Sequence, residues 1–142
     1  MILLDDHLAR DFAARKLPPT LDVTEDELST TNLWLFRLVN ALTREADGAL
    51  TRPIDELARL RYQLTERLEV LTVVPMEQIV WSMAERREHH RAAGRPMSTA
   101  MVEALAAAHH LDAEIAVAAA DVGPALHASA EADGIGFRIV EP

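Results

Sequence analysis

Short apolar runs alternate along this chain with segments in which apolar residues recur at helical spacing. Residues 1–4 form a continuous apolar run, which predicts a strand buried on both faces. Residues 7–16 carry Leu8, Phe12 and Ala13 on one helical face, and Pro18 ends that helix. The pattern predicts later strands over residues 28–31, 69–74, 115–119 and 137–140.

Helices are predicted in the intervals between these strands. Apolar stripes run over residues 32–46 and again from Thr51, which stands at a helix start with a proline close behind it. Ser98 is a suitable cap for a helix over residues 99–110. A short final helix is predicted from Gly123 to about residue 132.

The longest predicted helix follows the strand over residues 69–74. Pro75 opens it, and Gly94 is its stop signal. Ile79, Val80 and Met83 are expected on its core face.

Strands that alternate with helices from end to end predict an α/β domain that spans residues 1–142. Its sheet is expected to be mostly parallel, with about four to five strands covered by helices on both faces. In such sheets ligands bind beyond the carboxyl ends of the strands. Residues that directly follow a strand are therefore the first candidates for a functional site.

Composition narrows the class of protein. The chain has 142 residues, of which 49% are hydrophobic and 26% are charged, as expected for one folded domain. It has no cysteine, which excludes disulfides, thiolate metal sites and a cysteine nucleophile. No stretch approaches the roughly 18 apolar residues of a membrane span, and no signal peptide is visible. We expect a cytoplasmic protein with no membrane contact.

The formal net charge is −9, from 23 acidic and 14 basic residues. A surface of this sign repels phosphate backbones and argues against general coating of nucleic acid. Lys16 is the one lysine, so the basic residues are almost all arginines. Because arginine binds phosphate in a forked geometry, a local arginine-lined groove for RNA stays open.

Four acidic residues are expected at one edge of the sheet. Asp5 and Asp6 follow the first strand, Asp121 follows the strand over residues 115–119, and Glu103 lies one turn into a helix that begins at the same edge. Carboxylates that converge in this way are typical ligands of Mg²⁺ or Mn²⁺. The alternative is that these acids have only local structural roles. Asp6 and Asp121 would each form a turn or cap a helix, and Glu103 would interact favourably with the dipole of its helix.

The chain resembles the PIN-domain family, the fold of VapC-type toxin ribonucleases. The opening Met-Ile-Leu-Leu-Asp5 looks like the first strand and first catalytic Asp of that family. The segment over residues 93–109, with Met-Val-Glu-Ala-Leu-Ala-Ala-Ala, is similar to its late helix, and residues 114–121 with Phe-Arg-Ile-Val at 137–140 look like its ending.

The resemblance implies a three-layer α/β/α domain that hydrolyses RNA phosphodiesters with metal-activated water. It implies Asp5, Asp121 and Glu103 as catalytic residues and Asp5, Asp6, Glu103 and Asp121 as ligands of Mg²⁺ or Mn²⁺. It also implies RNA as substrate, an antitoxin or other protein as partner, and a homodimer.

Two departures from the family pattern raise a second hypothesis. Arg37 stands where the family has a Glu, and the late-helix Asp falls on Met101 or on Glu103, depending on the alignment. Arg37 could pair with Asp5 and take the place of the cation. The second hypothesis is therefore a catalytically inactive PIN-like scaffold that acts through protein partners or self-association.

Other candidate residues carry less chemistry. The adjacent pairs His89-His90 and His109-His110 lack the spacing of a helical zinc site and are expected at helix ends or on the surface. A group of basic residues near residue 90 could bind RNA phosphate, or could only interact favourably with the C-terminal end of its helix. The group comprises Arg86, Arg87, Arg91 and Arg95. The helical aromatics are expected in the core or at a dimer face; they are Trp34, Phe36 and Trp81.

Overall fold

The computed structural model describes residues 1–43, 61–62, 65–67 and 69–142, with Asp121 described by its backbone alone. The helix predicted from Thr51 lies outside the described residues, apart from its last few positions. No described helix combines the length and the apolar character that crossing a membrane requires.

A five-stranded sheet forms the centre of the fold, and every described strand pair is parallel. The order is β3-β2-β1-β4-β5. From β1 the chain adds β2 and β3 on one side, and it then returns to add β4 and β5 on the other side of β1. The position between β1 and β4 is the topological switch point, where α/β sheets bind ligands. The strands are β1 (Ile2–Leu4), β2 (Leu28–Thr30), β3 (Thr72–Val73), β4 (Glu114–Ala118) and β5 (Phe137–Val140).

Helices cover both faces of the sheet. The prediction of a three-layer α/β/α architecture with four to five strands is confirmed. The described helices are α1 (Asp6–Ala13), α2 (Asn32–Thr43), α3 (Val80–Ala92), α4 (Thr99–Leu111) and α5 (Pro124–Ala132), with 3-10 turns at Glu25–Glu27, Met76–Gln78 and Ala119–Asp121.

Strand β1 contributes to a core on each side of the sheet. Leu3 packs in the cluster that contains α4, whereas Ile2 and Leu4 pack with Leu8 and Phe12 of α1. This division follows from the strand period of two, which points successive side chains to opposite faces. The continuous apolar run at the start of the chain is therefore explained by burial on both sides.

Two details of the segment after β3 differ from the prediction. Pro75 precedes a single 3-10 turn, and the α-helix begins only at Val80. Ile79 and Met83 are buried as expected, but the Val80 side chain is 48% exposed, so its predicted place in the core is wrong. The break at Ile79, with φ −124° and ψ 2°, changes the helical phase that the sequence pattern assumes.

The three helical aromatics have different environments. Trp34 is buried in the core, as predicted. Phe36 is 64% exposed and Trp81 is 80% exposed, so neither belongs to the core of the described chain.

Candidate functional site

Asp5 lies at the topological switch point, directly after β1. It is the N-cap of α1, where Oδ1 accepts a hydrogen bond from the Leu8 backbone N–H at 2.8 Å. Its Oδ2 accepts a second from the Ala118 N–H at the end of β4, at 3.0 Å. The carboxylate thus joins the ends of the two strands between which the sheet order reverses.

Burial changes the acidity of Asp5. Desolvation raises the pKa of this carboxyl to about 6, and the neighbouring Asp6 charge acts in the same direction. The hydrogen bonds from Leu8 and Ala118 and the charge of His7 lower the pKa and oppose that rise. Asp5 is therefore ionised at neutral pH and becomes protonated in mild acid.

Asp6 is fully buried, at the first position of α1. Its Oδ1 accepts from the His7 backbone N–H at 3.0 Å and lies 3.1 Å from the His7 ring Nδ1. Its Oδ2 accepts no hydrogen bond from the described residues. Arg37 Nε is 3.3 Å from Oδ2, which is within ion-pair distance but without hydrogen-bond alignment.

Ligand atoms of Asp5, Asp6 and His7 lie within 4.8 Å of one another. These three residues therefore form a cluster that could hold a metal ion. Asp5 and Asp6 were predicted from their position after the first strand; His7 was missed. Its signal in the sequence is only its place next to an acidic pair.

A cavity of about 250 Å³ opens beside Asp5, at the carboxyl edge of the sheet. Arg37, half exposed, reaches it from α2, and Met101 reaches it from the first turn of α4. A Cβ added to Gly123 would stand 3.1 Å from Met101 Cε, so this glycine makes room for the methionine. The described lining consists of Asp5, Trp34, Arg37, Ser98, Ala100, Met101, Val117, Ala120, Val122, Gly123 and Leu126.

Glu103 is fully buried, and its carboxylate serves the start of α2. Oε2 accepts from the backbone N–H and the side-chain amide of Asn32 at 2.9 and 2.7 Å, and Oε1 accepts from the Leu33 N–H at 2.8 Å. Two of these donors are backbone N–H groups that a helix N-terminus leaves without intrahelical partners, and the Glu103 carboxylate satisfies both. Glu103 does not appear in the described lining of the cavity, where Met101 stands instead.

Asp121 ends the 3-10 turn after β4, between Ala120 and Val122, which both line the cavity. This backbone position agrees with the expected edge of the sheet. Its side chain lies outside the described residues. The catalytic and metal-binding roles of Asp5, Asp6, Glu103 and Asp121 stay predictions.

Arg37 pairs with an acidic residue, as the second hypothesis requires, but with a different one from the residue that the sequence suggested. Arg37 forms its ion pair with Asp6 and not with Asp5. Asp5 has its two oxygens on backbone N–H groups, which leaves Asp6 as the carboxylate nearer to the guanidinium.

A second cluster lies at the C-terminal end of α3. His90 is fully buried; its Nδ1 accepts from Arg95 Nε at 3.1 Å, and its Nε2 lies 3.1 Å from Asp133. Because the guanidinium can only donate, Nε2 must carry the proton and donate to Asp133. Burial opposes ionisation of Asp133, but hydrogen bonds from His90 and Arg86 outweigh it and lower the pKa. Both ring nitrogens of His90 are therefore engaged within the protein.

The basic group around residue 90 also binds protein atoms. Arg86 Nη1 is 2.5 Å from Asp133, Arg87 Nη1 donates to Thr99 Oγ1 at 3.2 Å, and Arg91 pairs with Glu88. These contacts favour the interpretation as a helix-end cluster over the interpretation as a phosphate site.

Comparison with known proteins identifies the fold. No family model matches the chain, and no curated protein matches its sequence. The crystal structure of FitAcB from Neisseria gonorrhoeae superposes with a TM-score of 0.66 at 16% identity, covering 97% of this chain and 96% of that one. The fold is PIN-like. PAE2754 from Pyrobaculum aerophilum has the same fold with a TM-score of 0.56, also at 16% identity, over 96% of this chain and 89% of that one.

The PIN-like fold confirms the architecture that the resemblance implied. At 16% identity the likeness concerns the fold alone. The chemistry of the site must therefore be judged from the residues of this chain, of which Asp5, Arg37 and Met101 meet at one cavity.

Proposed function

We propose that this chain is a relative of the VapC-type PIN ribonucleases whose acidic site no longer holds catalytic metal ions, and that it acts in the cytoplasm by binding a protein partner of the antitoxin kind. The observation that carries the proposal is the composition of the cavity. Beside Asp5 stand the cation of Arg37 and the thioether of Met101. The resemblance leads one to expect carboxylates there.

The described lining of the cavity is a poor set of ligands for divalent cations. Mg²⁺ and Mn²⁺ require several oxygen ligands, and bare carboxylates attract them by charge. In the described lining Asp5 supplies the one carboxylate, and Arg37 adds a positive charge. Glu103 uses both oxygens on the start of α2 and would have to abandon that helix to reach a metal.

Exposed aromatic side chains support the part of the proposal that concerns a partner. Phe36 lies on α2, the helix that carries Arg37, and Trp81 lies in the first turn of α3. Large aromatics are enriched where proteins bind one another and are costly to leave in water. A homodimer could cover these side chains just as an antitoxin could. Light scattering on the purified chain distinguishes the two, because only self-association produces a dimer without another protein.

An assay of RNA cleavage tests the proposal. The purified chain, incubated with a mixed single-stranded RNA in Mg²⁺ and then in Mn²⁺, is expected to leave the RNA intact, as does its Asp5→Asn variant. Cleavage by the wild type that disappears in Asp5→Asn would overturn the proposal.

The second candidate is a functional Mg²⁺- or Mn²⁺-dependent ribonuclease. The cluster of Asp5, Asp6 and His7 beside a cavity at the switch point favours it. In that case Asp5 and Asp121, with Glu103, would be the catalytic acids, and Asp6 would join them in binding the metal. The metal would supply activated water for attack on an RNA phosphodiester. The cleavage assay separates the two candidates directly.

A further inference from the structure

The carboxylate of Asp6 is placed at an unusual energetic cost. The side chain is completely buried, and its Oδ2 accepts no hydrogen bond within the described part of the chain. A buried carboxylate oxygen without a partner is strongly unfavourable unless a positive charge compensates for it. A positive charge close to Oδ2 would offset this cost.

Arg37 is placed to provide that charge. Its Nε lies 3.3 Å from Asp6 Oδ2, and its side chain also lines the cavity that Asp5 borders. The side chain is 52% exposed, so water can replace the guanidinium if it is removed. The imperfect alignment with Oδ2 indicates a contact held by charge rather than by a well-formed hydrogen bond.

We propose that Arg37 is the built-in counter-cation of Asp6 and that it closes a latent divalent-cation site formed by Asp5 and Asp6. The inference rests on the proposed function, because it gives the physical reason why the acidic site holds no catalytic metal. A divalent cation at Oδ2 would stand within a few ångströms of the guanidinium and be repelled by it. Loss of that charge should uncover an oxygen ligand beside Asp5.

Calorimetric titration with Mn²⁺ near neutral pH tests this directly. Arg37→Gln removes the charge, Arg37→Met removes it while keeping an unbranched apolar stem, and Arg37→Lys keeps it. Both neutral variants are expected to bind Mn²⁺ at least about tenfold more tightly than the wild type, whereas Arg37→Lys should bind like the wild type. Equal affinity in the wild type and in both neutral variants overturns the proposal.

The double variant Arg37→Gln with Asp6→Asn locates the gained site. It should lose the added Mn²⁺ affinity, because the amide cannot supply an anionic ligand. Arg138→Gln is the matched control: Arg138 pairs with Glu114 through Nε at 2.6 Å, with both side chains partly exposed, so its removal changes the net charge equally. An equal gain in Arg138→Gln would mean that net charge alone is responsible, and this too overturns the proposal.

Thermal unfolding gives a readout that does not depend on calorimetry. Without metal, the neutral variants should melt below the wild type, because Asp6 is left without its cation. Mn²⁺ should raise the melting temperature of Arg37→Gln more than that of the wild type. Tight Mn²⁺ binding by the wild type itself would contradict the proposed function, whereas failure of the neutral variants to gain affinity contradicts only the role of Arg37.

Discussion

Protonation of Asp5 should make the free energy of unfolding depend on pH, and the substitution Asp5→Asn should remove this dependence. Burial raises the pKa of Asp5 from 3.8 to about 6. The folded chain therefore holds this proton more tightly than the unfolded chain does. The stabilising contribution is fully present below about pH 4 and is lost as the pH rises through about 6.

The size of the effect follows from the difference between the two pKa values. A change of about two units, at 1.36 kcal/mol per unit, corresponds to about 3 kcal/mol in the free energy of unfolding. Asp5→Asn removes the titration. Its amide offers one acceptor in place of two, so either the Leu8 or the Ala118 hydrogen bond is lost, but that loss is the same at every pH.

Urea denaturation of the wild type and of Asp5→Asn at a series of pH values between about 4 and 7 measures this difference. Groups that do not interact with Asp5 titrate alike in both proteins, so their contributions cancel in the difference. The wild type should lose about 2–3 kcal/mol relative to the variant as the pH rises over this range. Parallel stability curves would refute the assignment of a raised pKa to Asp5.

Three further predictions concern structural contacts. Glu103→Gln turns an NH₂ group towards the donors at the start of α2 and should lower the free energy of unfolding by about 2–4 kcal/mol in urea; unchanged stability would contradict the capping role. His90→Ala leaves Arg95 and Asp133 without their shared partner and should cost about 3 kcal/mol, seen as a lower melting temperature; a loss below 1 kcal/mol would argue against a structural network. Gly94→Ala should lower the free energy of unfolding by about 1 kcal/mol, because Gly94 has a φ of +79°. Asp112→Gly should raise it by about 1 kcal/mol, because Asp112 has a φ of +51°. A higher melting temperature for Gly94→Ala, or a lower one for Asp112→Gly, would contradict this reasoning.

The sequence predicted most accurately those elements whose ends are marked by proline or glycine. Strand β5 and helix α5 occur at the predicted residues, since Pro124 fixes the first turn and Gly134 adopts the positive φ that ends the helical segment. The segment after β3 was less predictable. The proline there begins a 3-10 turn, and no local pattern distinguishes such a turn from the first turn of an α-helix, which is why Val80 was assigned to the core.

The site shows the same contrast between local and distant information. Asp5 was predictable because an acid directly after a strand of a parallel sheet must lie at its carboxyl edge. The contact between Arg37 and Asp6 depends on how α2 packs against α1, and the capping of α2 by Glu103 joins residues far apart in the chain. Neither contact has a sequence signature. The sequence alone therefore did not decide whether Met101 or Glu103 occupies the late-helix acid position of the family.

Titration of the wild-type chain with Mn²⁺, beside Asp5→Asn, is the decisive test of whether the acidic site holds a metal ion. The wild type should show no binding heat up to millimolar Mn²⁺ and should not differ from the variant, because Arg37 already pairs with Asp6 and Met101 lines the cavity. Binding by the wild type at micromolar Mn²⁺ that is lost in Asp5→Asn would contradict the proposed function and support a metal-dependent ribonuclease.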